Sequence, residues 1–219
     1  MTACKEDAPE PALTPTSNED EMKTYLALGD SYTIGESVPA ADQWGMQLAE
    51  MLRAEGVAVS NPVTIARTGW TTSELASAIA AAAPDPTFDL VTLLIGVNNQ
   101  YRGLPLSDYR TEFSDLLQTA IRLAKGNPKN VLVLSIPDWG ATPFGQGRDR
   151  EQISAEIAAF NAAAKEIAQD AGVTFIDITP LTGKAADNLS YVASDGLHYS
   201  GKMHREWALL ALPEAKKIL

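Results

Sequence analysis

"LALGDSYTIGES", residues 26–37, is an apolar run that stops abruptly at Gly29, Asp30 and Ser31. Two readings compete. In one, a buried strand turns into a helix whose first polar residue is an ordinary cap; in the other, Ser31 is a nucleophile presented at the carboxyl end of a strand. Gly29 permits a tight turn in either case.

Similar apolar runs recur along the chain. "TYLALG" (24–29), residues 63–67 of "VAVSNPVTIAR", "LVTLLIG" (90–96), "VLVLSIP" (131–137) and "VTFIDI" (173–178) read as five strands, with Pro62 delaying the start of the second. Segments of helical period lie between them. Trp44, Leu48, Met51 and Leu52 precede Gly56; "TTSELASAIAAAA" (71–83) ends at "PDP"; Tyr109, Phe113, Leu116, Leu117, Ala120 and Ala124 form one stripe; Ile153, Ile157, Phe160, Ala164 and Ile167 form another before Gly172. A terminal helix starts near Ser200.

Strands alternating with helices predict one α/β domain over residues 23–219: a three-layer α/β/α sandwich around a five-stranded, parallel, flavodoxin-like sheet. At 219 residues and 45% hydrophobic content the chain can bury one sizeable core. Its formal net charge is −11, of which −6 belongs to residues 23–219, and such a surface repels nucleic acid. No run of eighteen apolar residues is present. No nucleotide-binding glycine motif occurs, and two histidines with a single cysteine make a zinc site improbable.

In parallel sheets, ligands bind beyond the carboxyl ends of the strands. Those ends carry Ser31 after the first strand, Gly69 after the second and Asn98 after the third, while Asp195 and His198 occupy a long loop, residues 181–200. The other long loop spans residues 137–150, and long ordered loops are usually functional. Taken singly, each polar residue has a turn or cap reading. Taken together, they make a hydrolytic set. A serine nucleophile needs a neutral base, and of the two histidines His198 sits in a polar loop while His204 lies on a helix beside Trp207, where packing explains it. One turn brings Asp195 to the far side of the His198 ring, where it would fix the tautomer. The N–H groups of Ser31 and Gly69 and the Asn98 amide supply three donors for an oxyanion.

In that order, "GDSYTIGES" (29–37), "ARTGWTT" (66–72), "IGVNN" (95–99) and "SDGLHYSG" (194–201) resemble the four signature blocks of the SGNH, or GDSL-type, hydrolases. The resemblance covers residues 27–201. It implies a serine esterase or acylhydrolase without metal or organic cofactor: Ser31 the nucleophile, His198 the base, Asp195 its partner, and Ser31, Gly69 and Asn98 the oxyanion hole. One departure stands out. Asn99 occupies a position where many members carry aspartate, which puts a supporting bond or charge in that loop in doubt.

Trp70, Tyr101 and Trp139 follow strand ends and would line the cleft, against an acyl chain or a sugar ring. No large apolar lid intervenes, which favours short-chain or carbohydrate-linked esters over long-chain triglycerides and leaves thioesters and phospholipids open. Two other classes share the architecture. A surface-tethered glycan- or lipid-binding module would lack part of the triad, and a flavodoxin-like carrier would be yellow.

Residues 1–22 read as an acidic, proline-containing tether that cannot pack a core. "TAC", residues 2–4, resembles the lipid-modified cysteine of a bacterial lipoprotein, which implies membrane anchoring through Cys4 and a place in the cell envelope, at the surface or in the periplasm. This chain would then be a soluble truncation. The alternative is a disordered tail with an incidental cysteine.

Overall fold

The computed structural model describes residues 22–219; the tether as far as residue 21, Cys4 included, lies outside the described residues. In chain order the elements are β1 (Tyr25–Gly29), α1 (Ser31–Ile34), α2 (Trp44–Ala54), β2 (Val63–Ala66), α3 (Thr72–Ala82), β3 (Leu90–Leu94), α4 (Val97–Tyr101), α5 (Leu106–Leu123), β4 (Val131–Leu134), α6 (Arg150–Asp170), β5 (Thr174–Ile176), α7 (Thr179–Thr182) and α8 (Gly201–Ile218). Short 3-10 turns fill several of the loops.

All five strands pair in parallel, in the order β2-β1-β3-β4-β5. Residues in β1, β3 and β4 are buried along their whole length, the expected fate of strands covered on both faces. Burying each such Val or Leu is worth roughly 1.5–3 kcal/mol, so these continuous apolar runs take the sheet's centre. By contrast, β2 begins directly after Pro62 and leaves Val63 exposed, because it forms the edge where a missing N–H costs least.

Helices α2 and α8 pack together on one face, and α3, α5 and α6 form the other layer. Trp44 and Trp207, one from each helix of the first pair, are fully buried there. On α5 the stripe of Tyr109, Phe113, Leu116, Leu117 and Ala120 is buried as its spacing requires. Thr71 caps α3 through a capping box: its side chain accepts the Glu74 N–H while Glu74 Oε2 accepts the Thr71 N–H at 2.8 Å.

Strand order reverses between β1 and β3. The chain leaves β1 toward β2 on one side, then returns to build β3, β4 and β5 on the other. This switch point opens a crevice at the carboxyl ends of the strands, where Ser31 leaves β1 and Asn98 leaves β3.

Candidate active site

At the end of β1 the cap of α1 is supplied by Asp30. Its Oδ1 accepts the Tyr32 N–H at 3.0 Å, capping α1, so Ser31 is spared that duty. Asp30 is fully buried, and among the described residues its Oδ2 has no hydrogen-bond partner. Burial therefore pushes the carboxyl up to about 7, against the opposing effect of the Tyr32 N–H. Gly29 serves crowding rather than the turn expected of it. Its φ is not positive, but a Cβ there would collide with the Thr33 side chain and the Leu94 carbonyl of the neighbouring strand.

Gly69 follows β2 in a left-handed conformation, φ 87°, which glycine adopts without strain. Neither its N–H nor that of Ser31 donates to another group among the described residues. Asn98, in the first turn of α4, donates from Nδ2 to the Trp70 carbonyl at 2.9 Å. The same NH₂ group carries a second donor. Ser31, Gly69, Asn98 and His198 all line one cleft of about 160 Å³.

Asp195 stands behind the His198 ring. His198 Nδ1 and Asp195 Oδ2 are 2.6 Å apart, while Asp195 Oδ1 accepts the N–H groups of Leu197 and His198, both at 2.9 Å. Ser37 donates its hydroxyl to Oδ2 at 2.7 Å. Partial burial alone would raise the Asp195 carboxyl, but these four bonds outweigh it and hold the group well below the usual carboxylate range. With Nδ1 engaged, Nε2 is the ring nitrogen left for the cleft. Tyr32 meets the same ring edge-on at 5.5 Å.

Comparison with known proteins adds a decisive observation: residues 27–206 match the model of the GDSL-like lipase/acylhydrolase family. The chain belongs to that family. A curated relative, the isoamyl acetate-hydrolyzing esterase 1 homolog of Bos taurus, is 25% identical over 174 residues, 73% of this chain and 68% of its own. The lipase Lip_vut3 from a goat rumen metagenome superposes with a TM-score of 0.72 at 17% identity, covering 89% of this chain and 98% of its own. Axe2, an acetylxylan esterase from Geobacillus stearothermophilus, gives 0.64 at 19% identity, with 88% and 94% covered. These solved structures share the α/β/α fold.

Within this GDSL-family cleft the aromatic residues divide. Trp139 is buried and Tyr101 is 47% exposed; both line the cleft, with ring centroids 5.4 Å apart. Trp139 is fixed by its Nε1, which donates to Gln100 Oε1 at 2.8 Å. Trp70 is not among the lining residues. Its side chain packs partly against the core, and its backbone carbonyl accepts from Asn98 Nδ2. Sequence reasoning missed Tyr32, Val97, Phe144 and Leu197, which complete the apolar walls. Phe144 had a signal, since it sits in the long loop after β4. Arg148 of that loop lies over the Phe144 ring at 4.8 Å and the Trp139 ring at 5.3 Å. His204 is buried and stacked on Trp207 at 4.8 Å, away from the cleft. Among the described residues, no group of three or more His, Cys, Asp and Glu side chains is disposed to hold a metal ion, and no helix is long and apolar enough to cross a membrane.

Proposed function

We propose that this GDSL-family hydrolase cleaves small carboxylic esters through Ser31, His198 and Asp195 with an acyl-enzyme intermediate. The observation that carries the reading is the 2.6 Å contact between His198 Nδ1 and Asp195, on a histidine that shares one cleft with Ser31, Gly69 and Asn98.

Ser31 Oγ attacks the ester carbonyl carbon and gives its proton to His198 Nε2. Asp195 holds the ring and stabilises the imidazolium. The carbonyl oxygen becomes an oxyanion, received by the N–H groups of Ser31 and Gly69 and by Asn98 Nδ2. Collapse breaks the bond to the alcohol, which leaves with the proton from His198. Water then attacks the acyl-enzyme by the same route and frees the acid.

A cleft of about 160 Å³ with apolar walls suits a short acyl chain. The exposed ring of Tyr101 supports a carbohydrate-linked alcohol, as does the likeness in fold to an acetylxylan esterase. The "TAC" junction supports lipid attachment at Cys4, which the intact mass of protein from native envelopes would test. Hydrolysis of p-nitrophenyl esters of increasing acyl length, with Ser31→Ala in parallel, tests the chemistry. Activity that falls with chain length and vanishes in the folded variant is expected; equal activity in both proteins would remove Ser31 from the mechanism.

A further inference from the structure

Asn99 is buried at the start of α4, and its surroundings show why an amide suits the position. Thr72 is fully buried and Asn99 is 1% exposed, so each of their polar atoms needs a defined partner. The Thr72 backbone N–H, which can only donate, points at Asn99 Oδ1 at 3.1 Å. That fixes the amide: the remaining atom, Nδ2, donates to Thr72 Oγ1 at 2.7 Å. Having accepted that hydrogen bond, the Thr72 hydroxyl is free to donate one of its own, and it does so to Glu112 Oε2 on α5.

We propose that Asn99, Thr72 and Glu112 form a one-way hydrogen-bond relay that sets the spacing of the oxyanion donors, with Glu112 as a positioning residue. Thr72 lies three residues beyond Gly69, and Asn99 adjoins Asn98, so the two hydrogen bonds between them tie the turn after β2 to the start of α4. The Asn98–Trp70 bond spans the same two segments. This inference rests on the oxyanion-hole reading of Gly69 and Asn98.

Aspartate at position 99 is incompatible with this arrangement. Two carboxylates would then face one threonine hydroxyl, which has a single proton to give. The conflict disappears if position 112 becomes glutamine, because its NH₂ donates to Thr72 Oγ1 and the threonine proton turns toward the carboxylate introduced at position 99. The relay runs backwards but is complete. Asparagine at 99 and glutamate at 112 are thus a matched pair.

The test is a mutant cycle in the full chain, reading kcat and KM for the best p-nitrophenyl ester. Asn99→Asp is expected to lower kcat tenfold or more while KM moves less than about threefold, since misplaced oxyanion donors act on the transition state. Glu112→Gln alone keeps an acceptor for Thr72 and is expected to lose no more than about threefold. The double variant is expected to return to within about threefold of Glu112→Gln. Near-parental kcat in Asn99→Asp, or losses that simply multiply in the double variant, would overturn the relay. If Asn99→Asp does not fold, the double variant decides: folded and active supports the relay, and unfolded or inactive overturns it. Asn98→Ala separates the two levels. A near-parental kcat there sinks the oxyanion reading and the relay with it, whereas a large loss there with multiplicative losses in the cycle sinks the relay alone.

Discussion

Ser37 donates its hydroxyl to Asp195 Oδ2 at 2.7 Å, the same carboxylate oxygen that faces His198 Nδ1 at 2.6 Å. The two residues are 158 positions apart in the chain, and Ser37 holds φ at 64°, a conformation costly for a residue with a Cβ. Strain of this kind persists where the surroundings over-determine it, and here the bond to Asp195 is the visible constraint.

Ser37→Ala removes one of the bonds that hold Asp195 in place. A hydrogen bond of this type contributes about 0.5–1.5 kcal/mol, so kcat/KM should fall roughly two- to tenfold and the melting temperature by up to a few degrees. Steady-state kinetics on a short-chain ester check it. A loss as large as that of Ser31→Ala would mean that Ser37 does more than orient the carboxylate.

Asp30 makes stability depend on pH. Its carboxyl is raised from an ordinary 3.8 to about 7 in the folded chain, so between these values the folded state holds a proton that the unfolded state has lost. Stability from this group therefore falls as pH rises from about 4 to about 7. Asp30→Asn keeps an oxygen for the Tyr32 N–H and removes the charge, so its melting temperature should gain on the parent's between pH 5 and pH 8. A difference that stays constant with pH would contradict the assignment.

Thr71→Ala breaks the capping box at the start of α3. Losing such a cap costs about 1 kcal/mol, which in a domain of this size lowers the melting temperature by roughly 2–4 °C. Calorimetry of the two proteins at one pH measures it.

Tyr101→Ala removes the most exposed aromatic wall of the cleft. KM for an acetylated oligosaccharide is expected to rise about fivefold or more, in the range of a lost aromatic contact, while p-nitrophenyl acetate is affected less. Equal effects on both substrates would argue against a sugar beside this ring.

The central strands were legible because continuous apolar runs leave few alternatives to burial on both faces, and Pro62 marked the start of β2 at Val63. Ser31, Gly69, Asn98 and His198 gather in one cleft because each follows from where a strand ends or where the last long loop returns, and both are readable features. Trp70 could not be placed from the sequence for a local reason. Adjacency to a strand end does not say which side of the turn a side chain takes, and here the carbonyl is tied to Asn98 while the ring packs partly against the core. Ser37 with Asp195 and Thr72 with Asn99 are pairings across the fold, set by the packing of loops rather than by any periodicity.

The most direct test of the account is to inactivate the purified protein with a p-nitrophenyl alkylphosphonate and locate the adduct by tandem mass spectrometry. The geometry predicts one phosphonyl group per chain, on Ser31, with loss of esterase activity in step with labelling. Full inactivation with the label on another residue, or esterase activity that survives complete modification of Ser31, would contradict it.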